Sequence, residues 1–147
     1  MSPPTASSPE PPGSAALPHI FIDRSLGRYQ VANILRDAGL LLTTMAEHYS
    51  EHVGQGTDDP DWIALTAERG WLGFNKDANI RRNAPERAAV VAHGARLFCV
   101  MNANITAAQA GDRYLTNLAA IARAARRPGP YIYGVYESNI ERLSLDI

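Results

Sequence analysis

The strongest constraint on the fold is an alternation that begins after Pro18: short, apolar, β-branched runs take turns with segments of helical periodicity. The run from His19 to Ile22 reads as a buried strand and ends at Asp23-Arg24. Leu26 to Ala38 follows at helical spacing and stops at Gly39, and Leu40 to Thr44 is a second strand. Glu47 to Asp58 is polar, carries Gly54 and Gly56, and reads as an exposed loop. Asp59 is placed to cap a helix with Pro60 at its first position, running to Arg69 with Gly70 as its stop. Trp71 to Phe74 is a third strand, Pro85 to His93 a helix, and Arg96 to Met101 a fourth strand. Thr106 and Gln109 form a capping-box pattern that opens a long helix through about Arg126. Pro128-Gly129-Pro130 breaks the chain before a fifth strand, Tyr131 to Tyr136. This order predicts an α/β fold of three layers (αβα), with a mostly parallel central sheet of about four to five strands.

The chain has 147 residues, which suits one domain, here residues 19–147. Residues 1–18 are rich in Pro, Ser and Ala and read as a disordered tail. That segment lacks the basic and apolar regions of a signal peptide. No apolar run approaches the roughly 18 residues needed to cross a bilayer, so no membrane role is expected. The single cysteine, Cys99, excludes an intramolecular disulfide and points to a reducing, cytoplasmic setting. Net charge is −1, so no global field draws nucleic acid. The basic side chains are thirteen Arg and one Lys, and Arg suits bidentate phosphate contacts.

In open parallel sheets, ligands bind beyond the C-terminal ends of strands near a topological switch point. Asp23 and Asp77 follow the first and third strand, and Asp59 begins the helix leading into the third. Each alone also suits a turn or a cap, so the three gain meaning only as a set. Converging carboxylates repel unless a cation lies among them. Oxygen ligands without His or Cys favour Mg²⁺, with Mn²⁺ as the alternative. Such sites serve phosphoryl chemistry. The four histidines show no convincing metal spacing, although His48 and His52 are four apart.

Phe21-Ile22-Asp23-Arg24-Ser25-Leu26-Gly27 resembles the first acidic motif of PIN-like domains, above all of the compact VapC-type toxins of toxin–antitoxin pairs. Asp59-Pro60-Asp61-Trp62-Ile63 and Ala67-Glu68-Arg69-Gly70-Trp71 resemble the helix that an aspartate opens. Phe74-Asn75-Lys76-Asp77 resembles the hydrophobic-Thr-Lys-Asp motif, and residues 79–87 resemble the basic segment and Glu-bearing helix after it. The resemblance implies a Mg²⁺-dependent endoribonuclease that hydrolyses RNA phosphodiesters with metal-activated water. It implies Asp23, Asp59 and Asp77 as catalytic metal ligands, Asp61 as the alternative to Asp59, and Glu86 as a further acidic candidate. Arg81, Arg82, Arg24 and Asn75 become candidates for substrate binding, the arginines through RNA phosphates. Asn75 stands where the family often has Thr or Ser, and its amide can bond a metal-bound water or a ligand carboxylate. The implied partners are RNA, a cognate antitoxin protein and a second copy of the chain. Two rival readings keep the same fold: an inactive PIN-like binding module, and a Mg²⁺-dependent phosphohydrolase acting on small phosphate esters.

Overall fold

The computed structural model describes residues 17–49, 59–76, 83–102 and 104–145. Of the expected tail, all but Leu17 and Pro18 lies outside the described residues. Six strands form one sheet: β1 (Ile20–Ile22), β2 (Leu42–Thr44), β3 (Leu72–Asn75), β4 (Arg96–Val100), β5 (Tyr131–Val135) and β6 (Ile140–Leu143). Their order is β2-β1-β3-β4-β5-β6. The first five are parallel and β6 is antiparallel to β5. Helices α1 (Gln30–Asp37), α5 (Ala107–Thr116) and α6 (Leu118–Ala124) cover one face. Helices α3 (Asp59–Arg69) and α4 (Ala84–His93) cover the other. Among the described residues no helix is long and apolar enough to cross a membrane.

Burial on both faces explains why the strands read as continuous apolar runs. Ile20 and Ile22 of β1 enter the core with Val31, Leu35 and Tyr114, while Phe21 between them meets Trp62 and Val90. Gly73 in β3 permits this packing. A Cβ there would lie 2.5 Å from Leu97 Cδ2 and 2.9 Å from Trp62 Cζ3, so only glycine lets the indole approach the sheet.

The structure corrects the expected elements at four places. Among the described residues the sheet has six strands, one more than the sequence suggests. Ile140-Glu141-Arg142-Leu143 is a short edge strand with exposed charges, the pattern that protects an edge and disguises a strand. The helix expected from Leu26 starts only at Gln30, because a 3₁₀ turn, Arg24–Leu26, intervenes and Gly27 turns the chain at φ 82°. The long helix expected from Thr106 to Arg126 is two helices that meet at Asn117. The amide Nδ2 of Asn117 donates to the carbonyls of Arg113 at 2.9 Å and Tyr136 at 2.8 Å, which draws the chain out of line there. Finally, the stretch read as a loop from Glu47 begins inside a helix, α2 (Met45–Tyr49), and residues 50–58 lie outside the described ones.

Helix α2 follows β2 directly because Thr44 and Glu47 cap each other. The Glu47 amide donates to Thr44 Oγ1 at 3.1 Å, and the Thr44 amide donates to Glu47 Oε1 at 3.0 Å. Arg36 of α1 donates to the same Glu47 oxygen at 2.7 Å. That hydrogen bond, foremost, holds the Glu47 carboxyl below its usual range, with the Thr44 bonds and the Arg36 charge assisting against partial burial. A lowered carboxyl contributes stability above its ordinary titration range, and the contribution is lost as pH falls through the lowered value. Glu47→Gln is therefore expected to lower the melting temperature slightly at pH 7 and to converge with wild type as pH falls to 3, as thermal melts across that range would show. Both side chains are well exposed, so the effect is small.

Candidate active site at the switch point of the sheet

The chain leaves β1 toward β2 on one side and later returns to place β3 on the other. The order β2-β1-β3-β4-β5 puts the switch point between β1 and β3. Asp23 sits there. Its amide donates to the Phe74 carbonyl at 3.0 Å, which carries the β1–β3 ladder one step past Ile22. The side chain is turned inward and the residue is only 3% exposed. Oδ2 accepts from the Ser25 hydroxyl at 2.6 Å and from the Ser25 amide at 3.2 Å. This local ring caps the 3₁₀ turn and fixes the carboxylate's direction.

Ser25 also accepts the Lys76 amide at 2.9 Å. One hydroxyl thus ties the turn after β1 to the residue that follows β3. Asn75, the last residue of β3, is 1% exposed, so any role it has runs through its neighbours rather than through direct contact with a polymer. Its carbonyl accepts from the hydroxyl of Tyr114, which also reaches the Phe98 carbonyl. Burial, above all, pushes the Tyr114 hydroxyl well above its ordinary range.

Helices α3 and α4 run antiparallel to the strands that follow them, so both begin at the sheet edge that carries Asp23. Their N-termini bring partial positive charge to that edge. Asp59 is the first residue of α3. Asp61, two residues on, is exposed, and its charge assists burial in raising the Tyr49 hydroxyl. Glu86 lies in the first turn of α4, half-buried, with its amide bonded to the Asn83 cap at 3.1 Å. Arg24 is exposed beside Asp23. Asp77, Arg81 and Arg82 lie outside the described residues. Among the described residues no three of His, Cys, Asp and Glu gather closely enough to hold a metal ion, and the expected set draws on Asp77. His48 packs its ring edge-on against Tyr49, 4.6 Å between centroids, and His52 is outside the described residues.

Two residues of this region carry no role in the sequence reading. Ser25 was visible only as a hydroxyl two residues after an aspartate, a spacing that favours a side-chain turn. Tyr114 stands out in no sequence pattern, because its phenolic oxygen gives no signal in a periodicity.

The family described as "PIN like domain" matches this chain over residues 18–102, more than half its length. The chain belongs to the PIN-like domain family. A curated relative from Mycobacterium tuberculosis (strain ATCC 25618 / H37Rv), named "Putative ribonuclease VapC45", is 62% identical over 129 residues, spanning 88% of this chain and 94% of its own. No solved structure matches the chain significantly. The PIN-like match covers β1 through β4 and both strand ends described above, while α5, Tyr114 and β5 lie beyond it.

Proposed function

We propose that this PIN-like protein is a divalent-metal-dependent endoribonuclease and the toxin of a toxin–antitoxin pair, acting in the cytoplasm. The observation that carries the reading is the buried Asp23 carboxylate at the β1/β3 switch point, in a chain 62% identical to a relative whose name calls it a ribonuclease. Desolvating a carboxylate is costly unless positive charge compensates it. The donors at this edge are oxygens, which suits Mg²⁺ and, next, Mn²⁺. Asp23, Asp59 and Asp77 are the proposed ligands, with Asp61 as the alternative to Asp59 and Glu86 as a further acidic group. When bound, the cation supplies Lewis acidity that eases deprotonation of water and offsets charge on the phosphate.

The chain's own residues do the rest. Ser25 holds Asp23 in one orientation. Arg24, at this edge, and Arg81 and Arg82 are the proposed contacts to RNA phosphates. The toxin reading implies a small antitoxin that covers this edge, and a second copy of the chain as an assembly partner.

The test is RNA cleavage by the purified protein with Mg²⁺, with Mn²⁺ and after chelation. Cleavage should require the metal, return on its re-addition, and fall by at least about 100-fold in Asp77→Asn. Metal binding without any cleavage of RNA would favour the binding module. Cleavage of a generic phosphomonoester with RNA left intact would favour the phosphohydrolase.

A further inference from the structure

We propose that Tyr114 is a positioning residue for Asp23, acting through the Asn75–Lys76 peptide group and the Ser25 hydroxyl. Three observed hydrogen bonds and one peptide group form a continuous path, with a side branch to Phe98. The Tyr114 hydroxyl shares its proton between the carbonyls of Phe98 at 2.8 Å and Asn75 at 3.0 Å. The Asn75 carbonyl and the Lys76 amide are the two ends of a single peptide group. That amide donates to Ser25 Oγ at 2.9 Å. Ser25 Oγ spends its own proton on Asp23 Oδ2 at 2.6 Å. Every donor along the path points toward the carboxylate.

The consistent direction matters physically. A hydrogen bond to a peptide carbonyl polarises the group and strengthens donation by its N–H, by roughly 10–30% per bond. The same holds at the serine: accepting from Lys76 makes its O–H a better donor. Tyr114 is fully buried and its ring lies on Phe74 at 4.0 Å, nearly parallel at 3°, so the hydroxyl has a fixed aim. Its raised pKa keeps it a donor at any physiological pH. The path also reaches the segment before Asp77, because Lys76 is its neighbour. A residue of α5, beyond the family's matched span, thereby sets the geometry of an aspartate at the start of the fold.

This role rests on reading Asp23 as a metal ligand, so the experiment separates the two. Tyr114→Phe keeps the ring on Phe74 and removes only the hydroxyl. Ser25→Ala breaks the path at its other end, and Ser25→Thr restores a hydroxyl. Two readouts are taken: exchange of the Lys76 amide proton by NMR in metal-free protein, and Mg²⁺ affinity by calorimetry. Lys76 exchange is expected to quicken roughly 3- to 10-fold in both Tyr114→Phe and Ser25→Ala. Mg²⁺ affinity should fall about 10-fold or more in each, and no further in the double variant, with Ser25→Thr close to wild type. Additive losses in the double variant, or an unchanged Lys76 amide in Tyr114→Phe, would overturn the role while wild-type Mg²⁺ binding stands. A wild type that binds no Mg²⁺ overturns the role together with the metal-site reading. Intact binding and coupling without RNA cleavage supports the role and removes only the ribonuclease reading.

Discussion

Asp23→Asn is expected to lower RNA cleavage by at least about 100-fold while leaving the chain folded. The replacement is nearly isosteric. Its amide oxygen can still accept the Ser25 amide and hydroxyl that Oδ2 accepts now, at 3.2 and 2.6 Å, so the turn after β1 survives. What disappears is a negative charge inside a site where the residue is 3% exposed. A buried amide is cheaper to desolvate than a buried carboxylate, so the metal-free variant should melt no lower than wild type.

The difference appears on adding metal. A ligand that binds only the folded state at 100 times its dissociation constant stabilises by about 2.7 kcal/mol. Wild type should therefore show a clear Mg²⁺-dependent rise in melting temperature, and Asp23→Asn should show little or none. The pair of readouts keeps chemistry apart from folding. A variant that melts normally, ignores Mg²⁺ and does not cut RNA matches the proposal. Full cleavage by Asp23→Asn would remove Asp23 from the catalytic set.

The parallel part of this fold was legible because its strands are buried on both faces. Ile20 to Ile22 and Leu97 to Val100 have no polar side to confuse the pattern, and the helices between them end at glycines. Asp23 could be located because an apolar strand ends on it. Two of the departures share one physical cause: a side chain bonding to backbone overrides periodicity. Asn117 divides a helix that its apolar stripe would continue. Thr44 and Glu47 start a helix in a segment whose polarity suggested a loop, although Thr-x-x-Glu was a readable signal. β6 escaped notice because an edge strand needs few apolar residues. In the site, the acidic residues announced themselves by charge. Ser25 and Tyr114 did not, since a hydroxyl's partners depend on which strands lie side by side, and that is a property of the tertiary fold.

Trp62→Ala is expected to cost the most stability of any substitution considered, about 3–5 kcal/mol. Trp62 and its α3 neighbour Ile63 are completely buried. The indole stacks on Phe21 of β1 at 5.8 Å between centroids, tilted by 19°, and lies over the bare backbone of Gly73 in β3. The surroundings cannot close the resulting cavity easily. Gly73 offers no side chain to fill it, and Phe21 is also held by Trp71 at 6.2 Å. Against a typical total stability of about 5–15 kcal/mol, the loss is a large fraction. In urea it should move the midpoint down by about 2 M, taking a slope near 2 kcal/mol per M.

The same contact positions the site. Trp62 lies one turn from Asp59, and it docks the start of α3 against β1 and β3, whose ends carry Asp23 and Asn75. Loosening α3 lets the Asp59 backbone drift relative to Asp23, so more metal is needed to reach the same occupancy. Trp62→Phe keeps an aromatic ring over Gly73 and should recover most of both losses. If Trp62→Ala lowers the urea midpoint but leaves Mg²⁺ affinity at the wild-type value, Asp59 is not held in place by this packing, and the third ligand must be sought on a segment that α3 does not anchor.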